Sequence, residues 1–267
     1  MNGIFSCPIC KSTLFQEGNS LKCISNHCFD ISSFGYVNLA VGKNEAGDSA
    51  EMCRGRHEFL GAGYYKPFAD EIARVCSQYN SKSICDAGCG EGYYLRTIKE
   101  NIPYASLVGL DLAKTSIKLA GKEERNSSFP ISYAVAGIFD MPLPDASFDT
   151  VLSVFAPIPE KEAKRILKDD GILIVCHPGK DHLMGLKRLL YENAYDGEEK
   201  FFALPSFKKL EQRRVRYKQT VKSEHINSLF LMTPYYWKTS KSDAEKLKTV
   251  KELQSELDFI ITVYKKS

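Results

Sequence analysis

The chain has 267 residues, of which 43% are hydrophobic and 26% are charged, as expected for a globular protein that can bury a full core. Its net charge of +3 is too small to indicate nucleic-acid binding by itself, and no apolar run approaches the roughly 20 residues that span a bilayer. Residues 1–6 lack the basic start of a secretion signal, so we expect a cytoplasmic protein without a membrane partner.

Four of the nine cysteines lie near the amino terminus. Cys7 and Cys10 form one short chelating turn, and Cys23 opens a second that contains His27 and Cys28. Three thiolates and one further donor suit a closed, structural zinc site, and spacing alone leaves His27 and Cys28 open as the fourth ligand. Because residues 1–38 offer few apolar side chains, we expect a small zinc ribbon whose folding depends on the metal.

A linker and a helical segment are predicted over residues 39–80. Residues 41–48 are polar and Gly-rich, which is typical of a connection. Asp48 or Ser49 can cap a following helix, and a second helix is predicted through Phe68 and Val75. Between them, Tyr65 has a pattern typical of packing, with a lid over a cofactor as the alternative.

A glycine-rich turn follows the first apolar strand of residues 81–267. The strand ends in Asp86, and Gly88, Gly90 and Gly92 alternate before a predicted helix. Glycine permits close approach of the backbone to a ligand, and a helix start offers free N–H groups. The spacing differs from the dinucleotide pattern G-x-G-x-x-G and resembles the S-adenosylmethionine loop of class I methyltransferases.

Strands and helices alternate after this turn, which predicts an α/β fold with a doubly wound, mostly parallel sheet. The second strand ends in Asp111, about 20 residues beyond the turn, where a carboxylate can hold both hydroxyls of a ribose. His182 follows a later apolar strand at the same rim, although the pattern alone favours a solvent-exposed histidine. Residues 208–222 include seven basic residues and only one acidic residue, which indicates a solvated face or a strip that contacts phosphates.

Several segments together resemble the bacterial 23S rRNA (guanine-N1-)-methyltransferases, which modify a hairpin loop in domain II. The resemblance extends over nearly the whole chain. It is carried by the cysteine pattern and the glycine-rich turn, and by the following shorter segments: Gly35-Tyr36-Val37-Asn38-Leu39, Gly47-Asp48-Ser49-Ala50-Glu51-Met52, Ala156-Pro157, Pro178-Gly179, His182-Leu183, Met232-Thr233-Pro234 and Trp237.

The resemblance implies a class I, Rossmann-like methyltransferase that takes its methyl group from S-adenosylmethionine and forms a homodimer whose zinc ribbons help to grip 23S rRNA. It implies His27, with Cys7, Cys10 and Cys23, as the zinc ligands. It implies the following cofactor-binding residues: Tyr65, Gly88, Gly90, Glu91, Asp111 and His182.

The catalytic residues stay open at this point. Asp48, Glu51 and Asp140 are the acids near the predicted rim, and Phe155 is placed where it could stack on the target base. Two other functions share parts of the pattern: a class I methyltransferase that acts on a small molecule, and a zinc-ribbon RNA-binding protein without activity. The zinc ribbon and basic strip favour RNA over a small molecule, and the intact Asp86, glycine and Asp111 set favours an enzyme.

Overall fold

The structure is a computed structural model that describes residues 1–42, 48–193 and 202–267. The middle of the predicted Gly-rich connection, residues 43–47, lies outside the described residues.

The amino-terminal segment forms a small three-stranded antiparallel sheet. Strands β1 (Phe15–Glu17), β2 (Ser20–Lys22) and β3 (Cys28–Asp30) are adjacent in chain order. Gly18 adopts a left-handed φ of 59° in the tight turn between β1 and β2, a conformation that glycine tolerates. The two chelating turns lie before and after the β1–β2 hairpin.

Two helices lie between this ribbon and strand β5 (Ser83–Ala87) of the central sheet. Helix α1 (Ala50–Gly61) is capped by Ser49, whose Oγ accepts a hydrogen bond of 3.3 Å from the backbone N of Met52. Helix α2 (Lys66–Gln78) has a proline in its first turn, where a missing N–H costs nothing. Tyr64 and Tyr65 lie at the junction and are both buried.

An eight-stranded sheet forms the centre of the fold, in the order β10-β11-β9-β8-β5-β6-β7-β4. All pairs from β9 to β4 are parallel, whereas β11 is antiparallel to both of its neighbours. The strands are β4 (Tyr36–Asn38), β5 (Ser83–Ala87), β6 (Ser106–Asp111), β7 (Ser132–Val135), β8 (Phe148–Val154), β9 (Leu167–Pro178), β10 (Phe207–Lys222) and β11 (Glu252–Lys266).

Helices connect the parallel strands and confirm the doubly wound, mostly parallel α/β fold. Helix α3 (Tyr93–Asn101) follows β5, α4 (Lys114–Glu124) follows β6, and α5 (Glu160–Ile166) follows β8. After β9, α6 (Met184–Leu190) precedes β10, and three short helices and a 3₁₀ turn separate β10 from β11: α7 (Ser223–Leu231), α8 (Tyr235–Lys238), α9 (Lys241–Glu245) and Lys246–Thr249. The ends of β5, β6, β8 and β9 therefore share one rim.

The ribbon and the central sheet share a core. Phe5, Leu14 and Leu21 of the ribbon are completely buried, in the same apolar cluster as Val108 and Val151 of the sheet. This arrangement provides the apolar surface that the ribbon lacks on its own.

Polar contacts reinforce this junction. The backbone N of Ser6 donates to the Pro142 carbonyl at 2.9 Å, and Lys11 pairs with Asp140 at 2.8 Å. Strand β4, within the predicted ribbon range, pairs with β7 at the edge of the central sheet. Among the described residues, no helix is long and apolar enough to cross a membrane.

Candidate functional site

The turn after β5 is held by glycines that other residues could not replace. Gly88, Gly90 and Gly92 all have left-handed φ values, of 89°, 55° and 79°. A Cβ on Gly88 would lie 2.7 Å from the Cβ of Ala156, and a Cβ on Gly92 would overlap the Tyr133 ring. The backbone therefore forms an open cradle at the start of α3, where free N–H groups can receive a ligand.

Asp111 ends β6 and fixes this cradle from the neighbouring strand. Its Oδ2 accepts a hydrogen bond of 2.9 Å from the Gly90 N, and its Oδ1 accepts one of 2.7 Å from the Ala113 N. Burial raises the pKa of the Asp111 carboxyl, while these two N–H groups oppose the shift. Each oxygen accepts one hydrogen bond here and keeps capacity for a second donor.

Asp86 lies beneath the cradle without any hydrogen-bond partner. The side chain is fully buried, and both carboxylate oxygens are unsatisfied among the described residues. Burial, with a smaller contribution from nearby Asp111, raises the pKa of Asp86 to about 8. Because a buried orphan carboxyl is costly, its presence indicates a donor that arrives with a ligand.

Glu91 connects the cradle to α1 and α3. Its Oε2 lies 2.9 Å from His57 Nδ1 and 2.6 Å from Arg96 Nη2, while Oε1 is buried and unsatisfied among the described residues. The hydrogen bond to Glu91 is the main reason that the pKa of His57 is raised. Arg56 lies one position before His57, close to Gly90, and pairs with Asp48. Helix α1 thus covers one side of the cradle.

Tyr65, in the junction between α1 and α2, contacts His182. The Tyr65 hydroxyl and His182 Nε2 are 3.1 Å apart, and His182 Nδ1 accepts a hydrogen bond of 3.2 Å from the Asp258 N. With Nδ1 accepting, the neutral ring carries its proton on Nε2, so Tyr65 accepts that bond and retains its own proton to donate. Burial lowers the pKa of His182 to about 3, which keeps the ring neutral near pH 7.

The position of His182 differs from what the sequence pattern favours, whereas the burial of Tyr65 agrees with the packing that its pattern favours. His182 is buried, whereas the pattern favours a solvent-exposed histidine, because the antiparallel strand β11 covers it. Phe259 of that strand stacks on Phe68 at 4.1 Å and contacts the rings of Tyr65 and His182 edge-on. No local motif marked Phe259, since only pairing between β9 and β11 brings it here.

Phe155 lies at the open edge of this aromatic cluster. It follows β8 directly and has a left-handed φ of 54°, which is strained for a bulky side chain. Its ring centroid is 6.1 Å from that of His182 and 6.5 Å from that of Tyr65, and 43% of the side chain is exposed. A rim aromatic in this position can offer a face to a planar ligand.

A second site lies in the ribbon. The ligand atoms of Cys7, Cys10, Cys23 and His27 all lie within 4.8 Å of one another. Individual separations are 3.5 Å for Cys7 Sγ to His27 Nδ1 and 3.6 Å for Cys10 Sγ to Cys23 Sγ. Cys28 lies in β3, is exposed and does not belong to this group. Hydrogen bonds from Ser12 lower the pKa of the Cys10 thiol to about 5, which favours the thiolate that metals bind.

The separations match a tetrahedral metal centre. Zinc–sulfur bonds of about 2.3 Å give tetrahedron edges of about 3.8 Å. The four donors are thus already preorganised at the size of a zinc site, and they offer no open position for catalysis.

The basic residues between 208 and 222 lie along β10, the edge strand. Arg214 makes a bidentate pair with buried Asp258, at 2.8 and 2.7 Å. Arg216 pairs with Asp181 at 3.0 Å, and Arg213 pairs with Glu71 at 2.8 Å. Much of the positive charge that the sequence places here is therefore balanced by acids.

Comparisons with known proteins agree with this architecture. A family described as "Methyltransferase domain" matches residues 79–258, and one described as "RlmA, N-terminal", a zinc ribbon, matches residues 5–41. A Bacillus subtilis protein named "Putative 23S rRNA (guanine-N(1)-)-methyltransferase YxjB" is 32% identical over 97% of this chain and 96% of its own. The chain belongs to the 23S rRNA (guanine-N1-)-methyltransferase family.

A further relative of this methyltransferase is the "23S rRNA (guanine(748)-N(1))-methyltransferase" of Streptomyces fradiae. It is 29% identical over 86% of this chain and 85% of its own. The methyltransferase thus has both parts that the sequence predicts: an amino-terminal zinc-ribbon domain and a Rossmann-like catalytic domain.

Proposed function

We propose that the protein transfers a methyl group from S-adenosylmethionine to N1 of a guanine in a hairpin loop of 23S rRNA domain II. The family assignment supports the reaction class, and the relatives named above are 23S rRNA guanine-N1 enzymes. The observation that carries the proposal is the joint presence of the cradle around Gly88–Gly92 and the aromatic rim at Phe155.

The residues around the cradle fit the cofactor. The unsatisfied oxygens of buried Asp86 require a donor, which an ammonium group or its bound water provides. Asp111 retains acceptor capacity for two ribose hydroxyls, and Tyr65 retains a hydroxyl proton for a carboxylate. When bound, S-adenosylmethionine supplies the electrophilic methyl group on its sulfonium.

The protein contributes chiefly by positioning the target base. Guanine N1 lies on the Watson–Crick edge, so the base must be unpaired and turned out of its stack before it can react. The exposed face of Phe155 can hold the extruded ring, and its strained backbone keeps that face at the rim. Alignment of reacting atoms in this way removes much of the entropic barrier.

N1 also bears a proton that must leave during transfer. Of the acids near the rim, Asp140 pairs with Lys11 of the ribbon, and Asp48 pairs with Arg56 beside the cradle. Glu51 lies exposed on α1. Of these three acids, only Asp48 contacts a residue beside the cradle, through Arg56, and we propose it as the first residue to test as the proton acceptor.

We further propose zinc as the ion of the ribbon site, with Cys7, Cys10, Cys23 and His27 as its ligands. A cytoplasmic location and a homodimer complete the proposal, because ribosomal RNA is the substrate and the family resemblance implies a dimer. Sedimentation at micromolar concentration distinguishes the dimer from the 30.0 kDa monomer.

Primer extension tests the proposed reaction. N1 methylation blocks Watson–Crick pairing, so reverse transcriptase is expected to stop one nucleotide before the modified guanine. Purified protein and S-adenosylmethionine, added to unmodified 23S rRNA, should create this stop in the domain II hairpin. Protein without S-adenosylmethionine is the control, and an unchanged stop pattern would contradict the substrate assignment.

Replacing Phe155 by Ala tests the stacking role. We expect the KM for RNA to rise or kcat to fall by roughly 5- to 150-fold, because base–aromatic stacking contributes about 1–3 kcal/mol. Affinity for S-adenosylhomocysteine, measured by calorimetry, should stay within about twofold. Trp237→Ala removes another exposed aromatic as a control. Weakened cofactor binding in Phe155→Ala would instead assign this ring to the cofactor pocket.

A further inference from the structure

The exposed face of helix α4 carries a row of cations. Lys114, Lys118 and Lys122 recur every four residues, and Arg125 follows at the end of the helix. Residues with this spacing lie on one helical face, and all four side chains are exposed. Among the described residues, no acid lies within ion-pair distance of any of them.

This row differs from the basic strip on β10. There, Arg213, Arg214 and Arg216 are paired with acids, and Lys218 and Lys222 lie opposite Glu256 and Glu252 of β11. Paired cations present a weaker field to a polyanion, and forming new contacts would require breaking these pairs. Among the described residues, none of the four cations of the α4 row is engaged in such a pair, so the whole row is available for phosphate contacts.

The row also runs between two features of the surface, the rim of the cradle and a groove beside the ribbon. Helix α4 begins three residues after Asp111, at the rim of the cradle, and runs away from it. At its far end, a groove of about 1270 Å³ opens between the ribbon and the central domain, and Arg125 is part of its lining. Tyr104 and Phe129 line this groove with 73% and 79% of their side chains exposed.

Exposed aromatics beside a track of cations are the features with which proteins hold single-stranded nucleic acid. Phe34, which lines the groove, already makes a cation–π contact with a lysine of the row: Lys118 Nζ lies 4.9 Å from its ring centroid. We propose that the α4 row and this groove bind the single-stranded RNA that flanks the target guanine. The proposal rests on the function proposed above and assigns the surface on which that substrate lies.

The test replaces Lys114, Lys118 and Lys122 together by Gln. A fluorescent transcript of the domain II hairpin, titrated from 50 to 200 mM salt, gives the affinity and its salt dependence. We expect Kd to rise at least about tenfold, and the slope of log K against log salt to shrink by about 2 to 3, because each lost phosphate contact removes close to one unit. The matched control replaces Lys208, Lys218 and Lys222 on β10 by Gln and should change both quantities less.

The groove is tested by replacing Tyr104 and Phe129 together by Ala. We expect a rise of at least about 25-fold in Kd with an unchanged salt slope, since each of the two lost stacking contacts costs at least about fivefold and stacking carries no counterion release. Calorimetry with S-adenosylhomocysteine verifies that each variant is folded, and Lys→Arg at the same three α4 positions should restore RNA binding.

Each result supports or overturns one proposal. If the wild-type protein neither binds nor methylates the hairpin, the proposed function fails. If the wild-type protein methylates the hairpin, and the α4 and β10 variants bind it equally, only the α4 surface is overturned.

Discussion

Replacing Asp111 by Ala is expected to abolish measurable cofactor binding at micromolar concentrations. The Asp111 carboxylate fixes the cradle through hydrogen bonds from the Gly90 and Ala113 N–H groups, and its remaining acceptor capacity suits both ribose hydroxyls. Hydrogen bonds to a charged group contribute about 1.5–3 kcal/mol each. Loss of two such bonds to the ribose therefore predicts a fall in affinity of roughly 10²- to 10⁴-fold.

A graded comparison separates charge from shape. Asp111→Asn keeps the size of the side chain and one acceptor oxygen. Its affinity for the cofactor should therefore lie between that of the wild type and that of Asp111→Ala. Asp170, an exposed carboxylate that follows α5 and lies away from the cradle, provides the control Asp170→Ala. Affinity is measured by calorimetry with S-adenosylhomocysteine, and thermal melting confirms that each variant is folded. Wild-type affinity in Asp111→Ala would exclude this carboxylate from ribose binding.

Replacing Cys23 by Ser is expected to release the metal and detach the ribbon. A change outside the ligand shell already lowers metal affinity by about 10- to 100-fold, so loss of a ligand should exceed 100-fold. Because Cys23 lies in the apolar cluster that the ribbon shares with the sheet, metal loss should also expose Phe5 and Leu14. Limited proteolysis should then cut within residues 1–38, and methylation of RNA should fall at least about tenfold.

Cys28 is the matched control for this experiment. It lies five residues beyond Cys23 but is exposed and outside the group of four donors, so Cys28→Ser should keep one metal per chain. Metal content is measured by atomic emission after gel filtration, and binding of S-adenosylhomocysteine should persist in both variants. Loss of metal from Cys28→Ser would instead assign the fourth ligand position to Cys28 rather than His27.

Local sequence signals determined the parts of the fold whose interactions are close along the chain. The chelating turns, the Ser49 cap and the glycine-rich turn each lie within a few residues, where backbone conformation and ligand spacing can be derived directly. The alternation of apolar strands and helices similarly predicted the parallel sheet, since each βαβ unit folds with its immediate neighbours.

The tertiary structure decided which residues that lie far apart in the sequence come into contact. Phe259 enters the aromatic cluster, and Asp258 orients His182, only because β11 pairs with β9. The three arginines of β10 looked free in sequence but are paired with Asp181, Asp258 and Glu71, which lie far away in the chain. A charge count along one segment cannot include such partners.

The metal site of the ribbon depends both on local sequence and on the tertiary structure. The spacing of Cys7, Cys10 and Cys23 predicts three of the zinc ligands, but it left His27 and Cys28 as equal candidates for the fourth. The structure favours His27, because Cys28 begins β3 and lies outside the donor group while His27 lies within it. The sequence alone determined the chemistry available to this protein, and long-range packing decided which of those groups meet, because only folding brings distant side chains within contact distance.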